Sequence, residues 1–217
     1  LLNQESTGRA SRRHNRPMRP VFTPDAAPPA IVIADTRRWL ERAVIGLNLC
    51  PFAKAPHAKG QIHYAVCDSD DAADWLAQLR TELQALAALD ATERETTLLM
   101  APRLLRDFLD FNDFLAEADA VLAQLDLQGT LQIAPFHPRF QFAGTDEDDI
   151  TNATNRAPYP TLHLIREASI DRAVAAFPEA EAIYEANMAT LERLGDEGWA
   201  ALGDGASAPQ GTSHIHI

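Results

Sequence analysis

DFLDFNDFLAEADAVLAQLDLQGTLQIAPF, residues 107–136, carries both periods of an α/β fold in one stretch. Phe111, Phe114, Leu115, Ala118, Val121, Leu122 and Leu125 recur every three or four residues, the stripe of a helix burying one face from about Asp107 to Leu125. Gly129 turns the chain, and Thr130–Phe136 then reads as a strand. Upstream, Thr96–Ala101 is a second strand candidate. Asp70–Leu89 is a helix with Ala72, Trp75, Leu76, Leu79, Leu83 and Leu86 at helical spacing. In Gln61–Cys67, Ile62, Tyr64 and Val66 alternate with His63, Ala65 and Cys67, as in a strand with two different faces. Downstream, Thr161–Arg166 is a fourth strand, and 169–176 and 179–194 are helical, with Gly195 as a stop. An earlier helix is expected to be capped by Asp35 or Thr36, to bury Leu40, Ala43, Val44 and Leu47, and to end at Pro51. Strands alternating with helices need crossover connections. The expected class is α/β, bordering on α+β: a single layered sheet of about four strands flanked by helices. A ferredoxin-like core with added helices is one form this can take.

Composition sets the limits around that core. An apolar fraction of 46% over 217 residues suits one self-sufficient domain. The expected boundaries are a disordered arm over residues 1–30, a globular domain over 31–202 and a loose tail over 203–217. The arm holds Arg9, Arg12, Arg13, Arg16 and Arg19 against Glu5 and Asp25, with Pro17, Pro20, Pro24, Pro28 and Pro29 opposing regular structure. The net charge of -12 opposes binding to nucleic acid or to an anionic membrane. No apolar run is long enough for a membrane helix or a secretory leader. Two cysteines, Cys50 and Cys67, make no disulfide framework and fit a reducing cytoplasm. The patterns of dinucleotide folds, P-loops, zincins and α/β hydrolases are absent, so no cofactor is indicated.

The chemistry concentrates between the last two strands. His137–Pro160 is long, without a strand or helix period, and loops of this length inside a compact domain are functional or disordered. Phe140, Phe142 and Tyr159 can pin it to the core. His137, just past a strand end, is the candidate acid–base. Arg139, Asn152, Asn155 and Arg156 are candidate ligand-binding residues, the arginines for an anion held in bidentate fashion. Asp146 and Asp148 are weak candidates for a hard cation, because Ile150 breaks the calcium-loop pattern. Cys50 reads as a small structural residue at a helix C-terminus, where a thiolate is disfavoured. His214 and His216 alternate with Ile215 and Ile217, two ligands short of a metal set. If Thr130–Phe136 and Thr161–Arg166 are antiparallel neighbours, His137, Arg139, Asn155 and Arg156 meet at one sheet end; if parallel, the cluster dissolves. Two functions fit: a small enzyme acting on a small anionic metabolite, or a non-catalytic binding or adaptor protein using the same loop.

Four segments resemble a bacterial family known as domain of unknown function 1415: Gly46-Leu-Asn-Leu-Cys-Pro-Phe-Ala53, Ala134-Pro-Phe-His-Pro-Arg-Phe-Gln-Phe-Ala-Gly144, Asn155-Arg-Ala-Pro-Tyr-Pro-Thr-Leu-His-Leu164 and Leu194-Gly-Asp-Glu-Gly-Trp199. The likeness spans roughly residues 35 to 202. It implies a stand-alone cytoplasmic protein and carries no catalytic role onto any residue.

Overall fold

The computed structural model describes residues 27–176 and 180–203. Most of the expected arm, the tail beyond Gly203, and His214 and His216 lie outside them. Regular structure is already present ahead of Ile31. Helix α1 spans Pro29–Trp39, with Pro28 at the N-cap and Pro29 in its first turn. There the missing N–H costs nothing and the fixed φ favours the helix, so these two prolines start structure rather than oppose it. Asp35 and Thr36 are buried inside α1 and cap nothing. The Thr36 hydroxyl donates to the Val32 carbonyl at 2.8 Å, and Asp35 accepts from Arg38 at 2.8 Å and from the Tyr159 hydroxyl at 3.0 Å. The helix runs on as a π-helical turn, Leu40–Ile45, which ends well before Pro51. Gly46 follows it, and a Cβ there would strike the Arg42 carbonyl.

The remaining elements follow the expected order. They are α2 Lys54–Ala58, β1 Ile62–Val66, α3 Ala72–Ala88, β2 Thr96–Met100, α4 Phe108–Gln124, β3 Leu131–Phe136, a 3-10 turn Ile150–Asn155, β4 Thr161–Arg166, α5 Glu167–Ala176 and α6 Ala180–Ala201. Asp71 and Asp107 cap α3 and α4, accepting from Ala73 N at 2.8 Å and Leu109 N at 2.9 Å. Gly195, the expected stop, interrupts α6 with φ 65°, and the helix resumes after it.

The class is α/β: one four-stranded mixed sheet in the order β1-β2-β4-β3, flanked by helices. β1 and β2 are parallel neighbours, and β4 runs antiparallel to both β2 and β3. Hence β1, β2 and β3 point the same way. The ferredoxin-like form is not adopted, because its split βαβ unit places a strand between the paired parallel strands, whereas β1 and β2 are adjacent. One sheet face packs Leu99, Leu131, Leu162 and Leu164 under α3 and α4, where Trp75 stacks on Phe114 at 4.8 Å and on Phe111 at 6.2 Å. The other face packs Leu98 and Met100 under Ala27, Val32 and Tyr159.

His163 lies on that second face. Its Nε2 is 2.7 Å from the Thr96 hydroxyl oxygen, and the Thr96 hydrogen goes to the Leu164 carbonyl at 2.6 Å. The ring is therefore the donor, with its proton on Nε2. Burial lowers its pKa from 6.5 to about 4. Between those values the unfolded chain binds a proton that the folded chain does not, so stability falls as pH falls through the window. Burial lowers His63 and His137 as well. The expected result is a loss of up to about 3 kcal/mol from His163 alone between neutral pH and about pH 4. Denaturant titrations across this range should show the slope, reduced in His163→Phe; equal slopes contradict it.

Candidate functional site

Because β1, β2 and β3 run together, their C-terminal ends share one sheet edge, and the chain enters α3 and α4 there. In open α/β sheets this edge is where ligands bind. The Phe136–Thr161 pairing brings both ends of the long loop to it. His137 N donates to the Asn155 carbonyl at 3.1 Å, and Asn155 Nδ2 donates to the Pro135 carbonyl at 3.2 Å, closing the loop across the two strands.

His137 is fully buried. Its Nδ1 accepts from the Arg139 backbone N–H at 3.0 Å, which leaves the ring proton on Nε2 for the Leu105 carbonyl, also at 3.0 Å. The ring stacks on Phe111 with centroids 5.1 Å apart and tilts against Phe108 at 5.5 Å. Burial lowers its pKa, which keeps it neutral. With both nitrogens engaged, this histidine ties the loop to the β2–α4 connection. Leu105, which takes its proton, has φ 49°, a left-handed conformation uncommon for a bulky residue.

Asn152 is also fully buried. Its Oδ1 accepts from Phe142 N at 2.9 Å and the Thr145 hydroxyl at 2.8 Å, and its Nδ2 donates to the Asp146 carbonyl at 2.8 Å. It organises the loop from within and faces no ligand space. Asp149 caps the 3-10 turn through Thr151, at 2.8 Å to its N–H and 2.7 Å to its hydroxyl. Among the described residues no three histidine, cysteine or acidic side chains converge as a metal set does, and Asp146 and Asp148 gain no third donor.

The loop surface leaves an open groove of ≈ 500 Å³ lined by Pro138, Arg139, Glu147, Asp148 and Arg156. Arg139 NH2 donates to the Arg106 carbonyl at 2.7 Å and to Asp107 at 3.2 Å. Arg156 donates from Nε to the Phe140 carbonyl at 3.2 Å and from NH2 to the Glu147 carbonyl at 2.6 Å. Neutral carbonyls fix the guanidinium of Arg156 without cancelling its charge. Glu147, Asp196 and Asp149 favour that charge, against the larger opposing effect of burial. Each arginine keeps an NH1 that bonds to no described residue. The structure thus brings Arg139 and Arg156 to one groove, places Asn155 behind them in the loop's closure, and puts His137 and Asn152 beneath it.

Sequence reasoning missed the other bank of the site, Leu105–Asp107. Asp107 was legible as a helix start, but its second oxygen reaches Arg139 across 32 positions, and no local pattern announces that. Cys50 lies past the end of the π-helical turn, and its sulfur receives backbone N–H groups of Phe52 and Ala53. Burial outweighs these bonds and pushes the thiol pKa up. Native Cys50 should therefore react with a thiol reagent more slowly than the unfolded chain does at about pH 8; faster reaction would mark an activated thiol.

A family model described as Protein of unknown function (DUF1415) matches residues 31–201, most of the chain. Neither a curated protein nor a solved structure matches it. Among the described residues, no helix is long and apolar enough to cross a membrane.

Proposed function

We propose that this chain, which belongs to the DUF1415 family, binds a small anionic molecule in the groove of the 137–160 loop, with Arg139 and Arg156 as its anchors. The observation that carries this reading is the pair of guanidinium groups lining one groove, Arg156 held by two backbone carbonyls and Arg139 by the Arg106 carbonyl and the Asp107 carboxylate, each with an NH1 left over. Preset arginines bind carboxylate or phosphate with little ordering cost. Glu147 and Asp148 line the same groove. They favour a molecule that also carries an ammonium or another donor, and they disfavour a plain dianion.

This is a binding reading rather than a catalytic one. An acid–base must reach its substrate's proton, and His137 would first have to leave two hydrogen bonds and a closed aromatic setting. The adaptor alternative draws on Leu109, 70% exposed in the first turn of α4 next to Asp107, where a polypeptide could find an apolar contact.

The test is thermal stabilisation by inorganic phosphate, succinate and aspartate, because a ligand that binds only the folded state raises its melting temperature. Aspartate is expected to stabilise most. Arg156→Gln should weaken the apparent affinity at least tenfold, on the order of the 1.5–3 kcal/mol of a charged hydrogen bond. Equal responses of the native chain and of the variant would refute the proposal.

A further inference from the structure

The loop groove has an apolar neighbour that an anion alone does not use. Asp107 Oδ1 accepts from Leu109 N at 2.9 Å, and its Oδ2 accepts from Arg139 NH2 at 3.2 Å. A single carboxylate therefore separates the Leu109 backbone from an arginine that lines the groove. Leu109 is 70% exposed, the most of any large apolar side chain among the described residues. It stands off the buried stripe of α4, which runs through Phe111, Phe114 and Ala118. One exposed leucine is ordinary on a protein surface. This one adjoins a pair of anion anchors, which suits a ligand that is charged at one end and apolar beside it.

The groove is open rather than enclosed. Sites for free metabolites bury most of the ligand, whereas an open groove lets a chain run on into solvent. Arg139 and Arg156 each keep an NH1 that bonds to no described residue. Glu147 and Asp148, on the same lining, oppose a second carboxylate and favour a cation.

We infer that the anion held here is the carboxyl terminus of a partner polypeptide, with an apolar last residue and a basic residue upstream. This rests on the reading of Arg139 and Arg156 as anion anchors. The terminal carboxylate lies between the two guanidinium groups. The last side chain packs on Leu109, and the basic one pairs with Glu147 or Asp148. Free aspartate carries both charges without the apolar contact, so it fills the same groove less tightly.

The probes are acetyl-Lys-Ala-Leu with a free carboxyl end, the same peptide as its amide, and aspartate. Each is titrated into the full chain and read from the ¹⁵N guanidinium resonances of Arg139 and Arg156. The acid should bind at least tenfold more tightly than the amide, which lacks the charge. It should bind about fivefold more tightly than aspartate. Leu109→Ser should remove that advantage and leave aspartate binding unchanged, since so exposed a side chain can be replaced without touching the core. Glutamate in place of the peptide's lysine should weaken binding. Aspartate binding with no gain from the peptide would overturn this inference and leave the anion site standing, whereas no binding by either would overturn both. Equal affinities of acid and amide, or a peptide curve unmoved by Leu109→Ser, would also overturn it.

Discussion

His137→Ala is expected to cost about 4 kcal/mol of unfolding free energy, the range of a large buried side chain lost together with its hydrogen bonds. Three losses combine. The ring leaves a void against Phe108 and Phe111. The Leu105 carbonyl loses its donor, and the Arg139 N–H loses its acceptor. Because Leu105 already holds a left-handed φ of 49°, the β2–α4 connection should relax once unpinned, and hydrogen exchange should rise over 102–107 and 137–142. His137→Gln, which keeps a donor for Leu105, should lose about half as much. Denaturant unfolding measures both. A His137→Ala chain within about 1 kcal/mol of the native one would mean that the ring is not a structural pin, and would return His137 to candidacy as an acid–base.

Arg166→Met should cost about 3 kcal/mol, since hydrogen bonds from a charged donor contribute more than neutral ones and their loss strands the acceptors. Arg166 closes β4, and its NH2 donates to the carbonyls of Leu86 and Leu89, both at 2.8 Å, and Arg94, at 2.9 Å; its Nε also reaches Arg94, at 3.3 Å. The first two carbonyls belong to the end of α3, where an intrahelical donor has run out. A single guanidinium thus seals the α3 C-terminus and the turn into β2. Methionine keeps the apolar stem and removes the donors, so packing should change little. Unfolding should follow a single transition at lower denaturant with an unchanged m-value; a stability equal to the native chain would show that water satisfies these carbonyls.

The elements with strong periods were legible. β4 matches its expected bounds, and α4 lies within those read from the Phe111–Leu125 stripe, because in both the core-facing residues are apolar and regularly spaced. The start of α1 was not legible. Its prolines read as breakers, and Asp35 and Thr36 read as caps, since a polar residue is tolerated inside a buried helix only when tertiary partners satisfy it; Tyr159, the partner of Asp35, lies 124 positions away. Strand order was also out of reach, because the patterns of β2 and β4 are compatible with either neighbour. For the site, the long loop and its two arginines could be found from composition alone. The burial of His137 could not, since Phe108, Phe111 and Leu105 come from a different part of the chain. The hydrogen bonds that Asn152 makes within its own loop were hidden for a related reason: an amide that binds a ligand and one that binds its own loop look the same in sequence.

The central claim, that Arg139 and Arg156 hold one anionic ligand between them, is tested most directly by the ¹⁵N resonances of their guanidinium groups during titration with aspartate. Both should move together along one binding curve, and in Arg139→Gln the Arg156 guanidinium should respond only at aspartate concentrations at least tenfold higher. Shifts confined to arginines outside the groove, or an Arg156 curve unchanged by Arg139→Gln, would contradict the account.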